Sequence, residues 1–134
     1  MGLRRRSREL ALQMLFQMDM GTVKLKDLEE NFLPQASAPE AAKIMALKIT
    51  KETWDHLSDI DGQLRSLAAN WDLTRMAAVD RNILRLAAYE IRFDSEIPKS
   101  VAINEAIEIV KRYSTEESSK FVNGILDKLQ KSKT

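Results

Sequence analysis

Apolar residues recur along this chain at helical spacing, and no segment shows the two-residue alternation of a half-buried strand. The most regular stretch runs from Val101 to Leu129. Ile103, Ala106, Ile107 and Val110 share one helical face, and Val122, Ile125, Leu126 and Leu129 share another, on either side of a hinge at Tyr113-Ser114-Thr115. Both sets follow the i, i+3, i+4, i+7 spacing of a buried stripe. Ser114 and Glu117 match a capping box that would start the last helix.

Upstream, the spacing predicts a first helix from Arg4 to Asp19, with Leu3, Leu10, Ala11, Met14, Leu15 and Met18 on its inner face. Phe16 falls nearly opposite the centre of that face, beside Leu12 and on the side of Arg5. Gly21 should end the helix. A short helix follows over Leu25 to Leu33, closed by Pro34. Ser37 and Glu40 form another capping-box pattern. From there to about Trp71 the periodicity is helical through Ile44, Leu47, Trp54, Leu57, Ile60, Leu64 and Leu67. That span is long for one globular helix, so a break is expected within Thr53–Asp61, with Asp59, Asp61 and Gly62 as interruption signals. Asp72 or Thr74 should cap a central helix carrying Met76, Val79, Ile83, Leu84, Leu86, Ala87, Tyr89 and Ile91. Pro98 forbids a helix through the loop from Asp94 to Lys99. After Leu129 the polar tail should fray. The pattern predicts an all-α protein of about seven helices.

Composition narrows the function classes. The chain has 134 residues, 44% hydrophobic and 31% charged, which suits a folded domain or two small helical lobes packed together. It has no cysteine, so disulfides and thiolate metal sites are excluded. His56 is the one histidine, too few ligands for zinc, and reads as a surface or half-buried side chain. No glycine-rich phosphate loop or nucleophile elbow occurs, so neither a cofactor nor catalysis is expected. No apolar run approaches the roughly 18 residues of a membrane span, and a cytoplasmic location is expected.

Net charge is only +1, so a nucleic-acid partner must be argued from where the charges sit. Arg4, Arg5, Arg6 and Arg8 crowd the start of the first helix, where the macrodipole favours acids. Alone, that run is equally compatible with a solvated helix end. Arginine in place of lysine favours phosphate, which its planar fork binds bidentately. Lys111, Arg112, Tyr113, Lys120 and Phe121 around the hinge mix cations with rings, a combination suited to single-stranded RNA. Taken singly, Tyr113 and Phe121 are expected to be buried; Phe16, on the far side of its helix, is not.

These blocks resemble the NusB family of bacterial transcription antitermination factors. The similarity runs through RRRSRELALQMLFQ, VDRNILRLAAYEI and VAINEAIEIVKRYS with SSKFVNGILDKL, and weakens over residues 20 to 70. The resemblance implies one NusB-like domain over residues 1–134, built of two small packed helical bundles, an N-terminal lobe about 1–72 and a C-terminal lobe about 73–134. It implies no enzymatic activity. It implies binding of boxA-type single-stranded RNA in ribosomal RNA leaders together with NusE, a small-subunit ribosomal protein, within an RNA polymerase antitermination complex containing other Nus factors. By motif position, the RNA surface would use Arg4, Arg5, Arg6, Arg8, Tyr113, Glu117, Ser118, Lys120 and Phe121. Phe16 stands where the family often has tyrosine, and Asp80 where it has an acidic residue implicated in NusE docking. Glu117 carries a capping explanation as well as an RNA one, and Asn104 and Glu105 suggest a local polar role in helix packing. The alternatives are a helical protein-binding adaptor, or a homodimer that masks the RNA surface. The RNA-binding lobe of an rRNA cytosine methyltransferase is disfavoured by the end of the sequence at Thr134.

Overall fold

The structure, a computed structural model, describes residues 2–21, 23–68 and 72–131. Seven α-helices occur among them and no strand: α1 (Leu3–Met20), α2 (Leu25–Asn31), α3 (Glu40–Asp55), α4 (Leu57–Leu67), α5 (Ala78–Phe93), α6 (Lys99–Tyr113) and α7 (Glu116–Lys131). Single 3₁₀ turns at Leu33–Gln35 and Leu73–Arg75 punctuate the connections. The expected helical run up to Trp71 ends, among the described residues, at Leu67, and residues 132–134 of the tail lie outside them.

The central element is α5, on which every residue from Asp80 to Ile91 is buried. It packs against α1, α3, α4, α6 and α7. Its apolar residues join Ala11, Leu12 and Leu15 of α1, Ile60 and Leu64 of α4, and the stripes of α6 and α7 in one core. Leu10, Met14 and Met18 of α1 close a smaller cluster with Leu28, Leu33 and Ala46. α1 therefore feeds both clusters, and Leu12, expected beside Phe16 on the outer side, is buried.

Three departures from the periodicity have clear causes. Ile44 is 64% exposed, because α3 turns Ala42, Ala46, Ile49, Thr50 and Thr53 inward instead. Small residues there admit the bulky side chains of α1. The break between α3 and α4 lies inside the expected interval but at His56, while Asp59, Asp61 and Gly62 stay helical. The His56 ring lies 4.2 Å from that of Phe93, and its Nδ1 is 2.8 Å from the Glu52 carbonyl. Finally, α5 begins at Ala78. Asp72 caps only the preceding 3₁₀ turn, accepting from the backbone N–H and hydroxyl of Thr74 at 3.0 and 2.7 Å.

Neither capping box forms as read. α3 starts after Pro39 with no side-chain cap, and the Ser37 carbonyl instead receives Arg6. At α7 the cap is Thr115, whose hydroxyl oxygen accepts the Ser118 N–H at 3.0 Å. Ser114 is one residue too early, and Glu117 is left on the exposed first turn.

Candidate nucleic-acid interface

The N-terminus of α1 has no side-chain cap and no acidic residue in its first turn. Its free N–H groups and the positive end of its dipole therefore point out beside the arginines, an arrangement that suits a phosphate. The four arginines are not equivalent. Arg4 reaches only Glu96, at 3.8 Å and largely in water. Arg5 sets Nε and Nη2 against the two carboxylate oxygens of Glu105, at 3.3 and 2.5 Å. Arg6 donates from Nε and Nη2 to the Ser37 carbonyl at 3.3 and 2.9 Å, and from Nη1 to Glu9 at 3.4 Å.

Arg8 corrects the expectation that all four face RNA. Its side chain is 4% exposed, with Nε on Glu90 at 2.7 Å and Nη1 on Glu105 at 3.3 Å. The physical reason is Glu90, buried on α5, which needs a cation beside it. Burial pushes the Glu90 carboxyl up, and Arg8 opposes that rise. The Glu105 carboxyl is instead held low, chiefly by the hydrogen bond from Arg5.

The other half of the site is the end of α6. Arg112 Nη1 donates to Glu9 Oε2, and the Tyr113 hydroxyl lies 3.5 Å from the same oxygen. Glu9 is 4% exposed and sits between Arg6 and Arg112, so one carboxylate joins the N-terminal arginines to the hinge. Phe16 and Tyr113, 37% and 45% exposed, line one shallow apolar depression of about 320 Å³ with Leu12, Gln13 and Val79. Tyr113 is thus a surface ring, contrary to its expected burial. Lys111 and Lys120 are exposed beside it, and Phe121 is half-buried against the core.

A second groove of about 570 Å³ runs between the Leu73–Arg75 turn and the start of α7, lined by Asp72, Met76, Asp80, Glu117, Ser118 and Phe121 among others. Asp80 lies beneath it, buried. Its Oδ2 accepts from the Ser118 hydroxyl at 2.8 Å, while Oδ1 has no hydrogen-bond partner among the described residues. Asp80 is therefore not an open surface acid, and Ser118 meets it from α7. Glu117 stands free on the rim, without the capping role its spacing suggested.

Several organising residues were not visible in the sequence. Glu9, Glu90 and Glu105 carry the arginine network, and only the acidic positions within the RRRSRE and INEA blocks hinted at two of them. Asp19 accepts from Arg81 Nε and Nη2 at 2.8 and 2.6 Å and from Asn82 at 2.9 Å. Arg85 meets both oxygens of Asp61 at 2.8 Å. Burial acts to raise the Asp19 carboxyl, yet the hydrogen bonds from Arg81 and Asn82 outweigh it and the net shift is downward. These bonds pin the C-terminal end of α1 to α5. Among the described residues no cluster of three or more His, Cys, Asp or Glu could hold a metal. No helix is long and apolar enough to cross a membrane.

Comparison with known proteins agrees over almost the whole chain. The model of the NusB family matches residues 5–131. The transcription antitermination protein NusB of Desulfitobacterium hafniense is 49% identical over 131 residues, covering 96% of this chain and 88% of that protein. Its counterpart in Trichlorobacter lovleyi is 46% identical over 130 residues, covering 97% and 92%. Among solved structures, NusB of T. maritima superposes with a TM-score of 0.85 at 42% identity, covering 96% of this chain and 91% of that one. A chain from a complex of the antitermination factors NusB and NusE with dsRNA gives 0.79 at 25% identity, covering 96% of each. With seven helices in the same arrangement and a match from Arg5 to Lys131, this chain belongs to the NusB family.

Proposed function

We propose that this chain is an RNA-binding transcription antitermination factor that engages boxA-type single-stranded RNA of ribosomal RNA leaders together with NusE. The observation that carries this reading is the contact of Arg112 with Glu9. It brings the arginines of α1, the exposed Phe16 and Tyr113 rings and the lysines near the hinge onto one continuous face. Cations at phosphate spacing beside unstacked rings are what a single strand requires. Relatives of this chain are named for antitermination, and a solved relative was captured with NusE and RNA. The protein works by binding, as an adaptor that joins RNA and NusE to RNA polymerase and other Nus factors, and its RNA partner places it in the cytoplasm.

Within that face, Arg4, Arg5, Arg6 and Arg112 meet phosphates, and Phe16 and Tyr113 offer rings. The groove over Asp80 is the NusE side, where an unsatisfied carboxylate oxygen awaits a donor. Glu117 and Phe121 on its rim lie where RNA and NusE surfaces would meet. The apolar depression around Phe16 also favours a second reading, self-association into a homodimer that covers the RNA face. Titrating a boxA-like RNA with and without NusE across a salt series, alongside the oligomeric state, tests both. Affinity that falls steeply with salt and strengthens with NusE supports the first; a stable dimer that binds no RNA overturns it.

A further inference from the structure

The carboxylates around the arginine cluster divide into two kinds. Glu9 is 4% exposed and bridges Arg6 and Arg112, so losing a cation would strand a buried charge. Glu90 is in the same position with Arg8. Glu105 differs. Its side chain is 18% exposed, and it is shared between two arginines, Arg8 with Nη1 at 3.3 Å and Arg5 with Nη2 at 2.5 Å. Were Arg5 to leave, Glu105 would still hold Arg8 and would face water, so that pair can open where the others cannot.

Arg5 is the complementary case. It is 36% exposed and flanks a cleft of about 390 Å³ that also contains Arg4, Glu96, Pro98 and Val101. Glu105 occupies its Nε–Nη2 edge, the same two-pronged edge a phosphodiester would use. The two anions cannot hold that edge together.

Building on the RNA-binding reading above, we infer that Glu105 is an internal stand-in for phosphate, a counter-ion that Arg5 exchanges for an RNA phosphodiester on binding. Glu105 positions the guanidinium in the free protein and weakens RNA binding by competing for it. The charged groups facing this pair are Arg8 beside Glu105, and Glu108 and Glu9 at longer range from Arg5. The depressed carboxyl of Glu105 follows from Arg5 and should return upward once Arg5 turns to RNA.

The test compares wild-type protein, Glu105→Gln, Arg5→Ala and the double variant for binding of one boxA-like RNA, with NusE present if the wild type requires it. Glu105→Gln should bind about 3–10-fold more tightly at low salt, with a log–log salt slope steeper by about 0.7, one more phosphate contact on a single strand. In the Arg5→Ala background the same change should give no gain. A second measurement needs no variant. The Glu105 side-chain carboxyl carbon, followed by NMR in the wild type, should titrate at higher pH with saturating RNA than without. An unchanged titration, or weaker binding by a folded Glu105→Gln, would show the pair to be a permanent brace and overturn the inference. Wild-type protein that binds no RNA sinks the functional reading and this inference together; wild-type binding with no gain in Glu105→Gln sinks this inference alone.

Discussion

Arg112, at the end of α6, donates to Glu9 in the second turn of α1, 103 positions away in the chain. The bond crosses from one terminus to the other and sets the distance between the N-terminal arginines and the hinge rings. Arg112→Ala leaves Glu9 buried with Arg6 as its remaining ion-pair partner, at 3.4 Å. A buried acceptor deprived of a donor costs about 1–3 kcal/mol, so denaturant unfolding should show a loss of that order. RNA affinity should fall as well, because both halves of the face lose their common anchor. Unchanged stability and unchanged affinity would remove Glu9 from the centre of the site.

Phe16 separates folding from assembly. Its ring is 37% exposed, outside both apolar clusters, beside Tyr113 in the shallow depression. Phe16→Ala should shift stability by no more than about 1 kcal/mol, against about 3–5 kcal/mol for a buried phenylalanine. Pull-down with NusE and titration with RNA should show weakened assembly. A large drop in melting temperature would place the ring in the core.

The arginine run predicts contrasting phenotypes for neighbours in sequence. Arg8→Ala strands Glu90 in the interior and should cost about 3–5 kcal/mol, read by denaturant unfolding. Arg4→Ala should leave unfolding untouched, since its only partner is a solvated Glu96 at 3.8 Å. Its signature is on RNA, as weaker binding at low salt and a salt slope reduced by about 0.7. Arg4→Ala with unaltered RNA binding would exclude Arg4 from the interface.

Periodicity revealed the helices wherever bulky residues supplied the buried face. It therefore located α6, α7 and the core of α5, and it placed Phe16 outside. It misjudged Ile44, because the α3 face that meets α1 is made of alanines and threonines, which a search for large apolar residues passes over. Polar pairing was the larger gap. Arg8 and Arg5 lie three apart in one basic run, yet one is interior and the other is half open, and the difference is made by Glu90 and Glu105 on other helices. Nothing local to the run records those partners. Capping went wrong by a single residue at Thr115, since Ser114, Thr115 and the following acids offer two overlapping registers and only the backbone chooses between them.

The carboxylates make acid stability a test of the whole network. Asp19 and Glu105 are held below the ordinary carboxylate range, Asp19 by Arg81 and Asn82 against its burial, Glu105 by Arg5. Each contributes stability that is present above its unfolded value and is lost as pH falls through its lowered folded value. Glu90, raised by burial, has the opposite sign. Its contribution is fully present below the unfolded carboxylate value and is lost as pH rises through its raised folded value. Thermal unfolding followed from neutral pH downward should therefore decline most steeply below the ordinary carboxylate range, about pH 4. Asp19→Asn should flatten that decline while lowering stability at neutral pH, because the hydrogen bonds from Arg81 and Asn82 then meet a neutral amide. Glu90→Gln should change the profile chiefly at and above the ordinary range, where the wild type bears a buried charge. A profile identical in Asp19→Asn and wild type would mean that the tie between α1 and α5 contributes nothing to acid stability.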